Sequence, residues 1–182
     1  VFYQIYPLGF CGAPFENDGI LKHRILKVLD WIPHMKKLNI KKGDIVHLGS
    51  LMLSEKEGLR FIKSAIKYIK SIGAIFSFDV NYRDDIFPDK ITAKRIYRLI
   101  IRYADLIKIS EDELEVLSNK KTLECQLKDL FTKEQNVFVT LGKKGSFFYK
   151  NEKITKVETF VLPPKDTTGA GDAFYSYVLY SL

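Results

Sequence analysis

From residue 44 onward the apolar residues of this chain switch repeatedly between the two-residue spacing of a strand and the 3.6-residue spacing of a helix. Each switch falls at a Gly, Pro, Asn or Asp. Strands alternating with helices restrict a chain to right-handed crossovers and a mainly parallel, layered sheet. Strands are expected over 44–48, 74–80, 106–109 and 137–141. The unbroken apolar run VFVTL of the last predicts cover on both sheet faces. Helices are expected over 55–72, where Leu59, Ile62, Ala65, Ile66 and Ile69 form one stripe closed by Gly73, and over 92–103, 111–117 and 123–131. Gly142 to Gly145 turns the chain into two hairpin strands, 146–149 and 154–162, which predict an antiparallel edge. Residues 169–182 return to helical spacing through Phe174, Tyr177 and Val178.

Composition narrows the class. With 182 residues, 46% of them hydrophobic and 28% charged, the chain can bury a real core as one domain, which excludes disorder and fibre. Cys11 and Cys125 stand far apart with no CxxC, so neither a disulfide framework nor a zinc site is expected, and a reducing cytoplasm fits. No apolar run approaches the roughly 18 residues of a membrane span, and residues 1–14 do not read as a signal peptide. The missing Met before Val1, and an end at Leu182 inside a helical pattern, predict part of a longer polypeptide; residues 1–20, with Pro7, Gly9, Gly12, Pro14 and Gly19, are its least interpretable stretch. Lys and Arg exceed Asp and Glu by 29 − 22 = 7, favouring anionic partners. The basic residues are dispersed over polar helix faces, which predicts a solvated surface rather than a nucleic-acid stripe. His23, His34 and His47 lack metal-like spacing and read as surface or packing residues.

The stretch Asp166-Thr167-Thr168-Gly169-Ala170-Gly171-Asp172 lies between a Pro163-Pro164 strand exit and the last helix. Its glycines permit a tight turn, and the helix start presents unpaired amides at the positive end of the macrodipole, where a phosphate belongs. It is neither a Walker A loop nor a dinucleotide fingerprint, because no GxxxxGK[ST] occurs and Phe174 stands where a third glycine is required. A carboxylate at such a mouth would repel phosphate unless it removes a proton from an incoming alcohol, which makes Asp172 a candidate base. Read from these residues alone, an ordinary helix start with Gly169 as N-cap serves equally well.

The whole string resembles the DTxGAGD motif of the ribokinase-like PfkB carbohydrate kinases, and three upstream segments match that family in order. Asp79-Val80-Asn81-Tyr82-Arg83 is similar to its D-x-N-x-R segment; alone it reads as an Asx-type turn with an exposed Arg. Ser110-Glu111-Asp112-Glu113 is similar to its S-x-x-E form, which is closest to fructokinase-like members; alone it is a capping box. Thr140-Leu141-Gly142-Lys143-Lys144-Gly145 is similar to its T-L-G-x-x-G loop, although an ordinary charged turn fits the lysines as well.

The resemblance covers roughly residues 44–182. It implies a three-layer α/β/α sandwich whose N-terminal lid part is missing, and transfer of the γ-phosphoryl group of ATP to a sugar hydroxyl, most readily on fructose or a related sugar. In that reading Asp172 is the base, and Gly169, Ala170 and Gly171 form the anion hole with it. Asn81 and Arg83 contact substrate or transferring phosphate. Glu113, with Ser110, organises Mg²⁺ and phosphate, and Thr140, Gly142 and Gly145 contact the nucleotide. A sugar and ATP are the implied partners, without nucleic acid or membrane, and a homodimer is compatible with the reading. The alternative is a truncated or degenerate homologue that binds nucleotide or a partner without catalysis.

Overall fold

The computed structural model describes residues 37–160, 167 and 169–182. Expectations for residues 1–36 (Cys11, His23 and His34 among them), 161–166 and Thr168 lie outside the described residues. Four strands run parallel and in chain order: β1 Ile45–Leu48, β2 Ile75–Asp79, β3 Leu106–Ser110 and β4 Asn136–Thr140. Two more, β5 Ser146–Lys150 and β6 Lys153–Val157, continue the same sheet antiparallel. The expected parallel sheet with an antiparallel edge is therefore present, as six strands in the order β1 to β6.

Between the parallel strands lie α1 Lys56–Ser71, α2 Lys90–Ile101 and the pair α3 Glu111–Leu117 and α4 Leu123–Leu130. Consecutive right-handed crossovers put all four on one face. Phe76, Phe78, Ile107, Ile109, Val137 and Val139 pack there against Ile62, Ile66, Tyr97, Ile100 and Leu127. Each fully buried apolar side chain contributes about 1.5–3 kcal/mol relative to exposure. Helix α2 starts at Lys90, two residues ahead of the expected start, because Asp89 caps it by accepting the Thr92 amide at 2.8 Å.

The last helix, α5 Ala170–Tyr180, lies across the opposite face, where its Tyr175 meets Ser77 of β2 and the rings of His47 in β1 and Phe138 in β4. Cover on this side is concentrated on β2 and β3, whose residues are buried on both faces from Phe76 to Asp79 and from Leu106 to Ile109. Strand β4 instead alternates, with Val137 and Val139 buried and Phe138 half-buried, so the expectation of full cover on both its faces is corrected. A second correction concerns β6, which stops at Val157 rather than continuing to 162: it is the edge strand, is exposed along most of its length, and its last partner is Ser146 at the start of β5. No described helix is long and apolar enough to cross a membrane.

Candidate active site

Because β1 to β4 are parallel, their C-terminal ends share one edge, and chemistry in open α/β sheets collects at such an edge. Asp79 ends β2, Ser110 ends β3 and Thr140 ends β4, with Asp79 in register with Lys108 and Ser110 with Thr140. All four motif segments found in the sequence thus reach this edge or the helix that crosses it.

The segment after β2 is held from three sides. Asn81 adopts a positive φ of 35°, and its carbonyl accepts the Ser50 hydroxyl at 3.0 Å and the Tyr97 hydroxyl at 3.3 Å. The Arg83 amide donates to that same Tyr97 oxygen at 3.1 Å. From the other side Glu113 accepts the Tyr82 amide at 2.6 Å through Oε1. The Arg83 side chain is exposed and has no ion pair among the described residues, leaving a planar cation free for an oxyanion.

Glu113 also closes the capping box of α3. Its Oε2 accepts the Ser110 amide at 2.8 Å, and its own amide donates to Ser110 Oγ at 3.2 Å. Each oxygen of Glu113 therefore receives one backbone N–H, and the side chain joins the loop after β2 to the end of β3. An ionised carboxylate has about four lone-pair sites, so two remain for water. Among the described residues no cluster of three or more His, Cys, Asp or Glu could hold a metal ion.

After β4 the chain makes a short 3-10 turn, Gly142–Lys144. Gly142 is open, with nothing within 4 Å of a Cβ built on it, whereas a Cβ on Gly145 would stand 2.3 Å from the Val157 carbonyl oxygen. Lys144 reaches Glu111 at 3.3 Å and ties this turn to the start of α3.

Helix α5 opens on Gly169, in the left-handed region at φ 77°, with no side-chain cap. The Ala170 amide donates to the Thr167 carbonyl at 3.1 Å, so that member of the expected anion hole is already engaged by the turn. The amides of Gly171 and Asp172 fall in the first turn, which an α-helix does not pair internally. Gly171 is half-buried and Asp172 is exposed.

Beneath this turn lies a pair that the sequence reasoning did not single out. Lys108 and Asp79 are both buried, their side chains only 10% exposed. Lys108 Nζ donates to Asp79 Oδ2 at 3.2 Å and lies 3.1 Å from Oδ1, which has no hydrogen-bond partner of its own. Burial pushes the Asp79 carboxyl up to about 6; Lys108 opposes the rise, and Glu113 and Asp172 add to it. The available signal was a lysine inside the apolar strand LIKIS, since lysine is almost never buried without a partner.

A pfkB family carbohydrate kinase profile matches residues 27–182. The chain is 32% identical over 145 residues to a fructokinase of Vibrio alginolyticus, covering 79% of this chain and 47% of that protein. It is 32% identical over 142 residues to fructokinase-1 of Zea mays, covering 77% and 44% respectively. Fructokinase from Vibrio cholerae, solved with fructose, ADP and calcium ion, superposes with a TM-score of 0.71 at 31% identity over 78% of this chain and 46% of that one. The chain thus spans about half the length of these relatives. With its match over residues 27–182, the chain belongs to the pfkB family of carbohydrate kinases.

Proposed function

We propose that the protein to which this chain belongs transfers the γ-phosphoryl group of ATP to a hydroxyl of a sugar, with fructose as the first candidate, in the cytoplasm where ATP is available. The observation that carries this reading is the uncapped, glycine-opened start of α5, bearing Asp172 and lying above the C-terminal edge of the parallel strands. The fructokinase relatives supply the sugar class.

In this reaction Asp172 accepts the proton of the sugar hydroxyl as its oxygen attacks the γ-phosphorus. The bond from that phosphorus to the β,γ-bridging oxygen breaks, and ADP leaves with the electron pair. The amides of Gly171 and Asp172 stabilise charge on the transferring group, and Arg83 can take phosphoryl or substrate oxygens in two-pronged hydrogen bonds. Thr140, Gly142 and Gly145 form the nucleotide side of the edge, with Gly142 leaving room for close approach.

Magnesium enters as part of the ATP substrate, since it keeps several waters and binds through phosphates and few carboxylates. Glu113 fits an outer role: its two bonded amides fix the loops, and its remaining lone pairs can take waters of a hydrated ion.

The test is Asp172→Asn in the full polypeptide, assayed for ATP consumption across a panel of sugars. Turnover should fall by about 10²–10⁴-fold while ATP binding is retained. Unchanged turnover would reject Asp172 as base, and no turnover by the unaltered protein on any sugar would reject the kinase reading.

A further inference from the structure

The buried Lys108–Asp79 pair is larger than the fold requires. A fully apolar pair at those positions of β2 and β3 would satisfy the sheet, and a buried ion pair is by itself weak support for stability. Its location is what distinguishes it. A Cβ built on Gly171 would come within 2.9 Å of Lys108 Nζ, so the ammonium presses directly against the first turn of α5 at a residue with no side chain. An ammonium has three N–H donors. Asp79 Oδ2 takes one, and no other hydrogen bond of Nζ is present among the described residues. The buried Asp79 Oδ1 is also left without a donor, so the pair is incompletely satisfied from within the chain.

We propose that Lys108 is the fixed cation of the phosphoryl site, acting from beneath the glycine turn on the group held by the amides of Gly171 and Asp172. Asp79 holds that cation in place. The inference rests on the proposed phosphoryl transfer and names a charge-stabilising residue within it. A positive charge buried beside the donor amides is little screened by water and needs no reorganisation as charge develops on the transferring oxygens. A side chain at position 171 would have to push the flexible end of Lys108 away from its place beneath the turn.

The experiment compares Lys108→Met, Asp79→Asn and the double variant in the full polypeptide, with sugar and ATP kinetics and melting temperature for each. Lys108→Met should lower kcat by about 10²-fold or more, as for loss of one charge-stabilising donor. Its sugar KM should stay within about threefold, since the interaction forms in the transition state. Asp79→Asn keeps the cation and should lose much less turnover. The double variant leaves no stranded buried carboxylate; it should fold and match the turnover loss of Lys108→Met, which keeps the test decisive if the single variant does not fold. Equal losses for Lys108→Met and Asp79→Asn would assign the pair to bracing alone and overturn the proposal. Recovery of turnover in the double variant would overturn it too, by tracing the loss to the unpaired Asp79. An unaltered protein that phosphorylates no sugar overturns the kinase reading and this inference together, whereas an active one that tolerates Lys108→Met overturns this inference alone.

Discussion

The Tyr175 hydroxyl and Ser77 Oγ lie 2.8 Å apart, a hydrogen bond between residues 98 positions apart that fastens α5 to the middle of the sheet. Ser77 Oγ is also 3.0 Å from His47 Nδ1, so the link continues to β1. Burial pushes the Tyr175 phenol up, keeping it a neutral partner in this chain of bonds. Tyr175→Phe keeps the ring contacts with His47 and Phe138 and removes only the hydroxyl. The expected cost is about 1 kcal/mol, a fall of roughly 2–4 °C in Tm for a domain of this size. Ser77→Ala should cost a similar amount, and the two together less than their sum. Additive melting shifts would show that the two residues do not act as a pair.

Glu113 gives a second prediction, one that separates bracing from metal binding. Glu113→Gln keeps one acceptor oxygen but turns an NH2 group toward one of the two amides that the carboxylate now accepts, those of Tyr82 and Ser110. Losing a charge-assisted bond in this partly buried setting should cost about 1–3 kcal/mol. The check is chemical denaturation in the presence of a chelator. An unaltered midpoint there would leave Glu113 with a metal role only.

The alternation of strands and helices, the hairpin edge and the capping box were readable from the sequence because each is local. Apolar periods mark strands and helices, and Ser110 and Glu113 are three residues apart. The position of every motif at one edge follows from the parallel order. What the sequence could not give were contacts made across the fold. Glu113 to Tyr82 spans 31 positions and Lys108 to Asp79 spans 29, and no periodicity links such pairs. The extent of cover over β4 was also hidden, since VFVTL reads the same whether or not a helix lies over Phe138. The engaged Ala170 amide depends on the path of Thr167, which the motif leaves unspecified.

The two glycines of the turn after β4 should respond differently to substitution. Gly145 sits at φ 96°, and a Cβ there would meet the Val157 carbonyl oxygen at 2.3 Å, which is backbone and cannot rotate away. Gly145→Ala combines left-handed strain of about 1–2 kcal/mol with displacement of the end of β6 at Val157, so a loss above roughly 2 kcal/mol is expected. At Gly142 the φ is 57° and the space is open, so Gly142→Ala should cost the strain alone. Denaturation midpoints of the two variants check this, and equal losses would show that β6 yields without resistance.

The dependence of stability on pH follows from Asp79. Its carboxyl rises from the ordinary 3.8 to about 6 in the folded chain, chiefly through burial, with Glu113 and Asp172 adding to the rise and Lys108 opposing it. An unfolded Asp releases its proton near 3.9, so between about 4 and 6 the folded state binds more protons than the unfolded one and stability from this group falls as pH rises. Above that window both states are ionised and the contribution is flat; below it both are protonated and the penalty vanishes. Asp79→Asn cannot ionise and should remove this part of the slope. Urea midpoints measured for both proteins from pH 4 to pH 8 provide the comparison. Parallel curves across the window would mean that Lys108 offsets burial fully, and that Asp79 ionises in the folded chain as readily as in water.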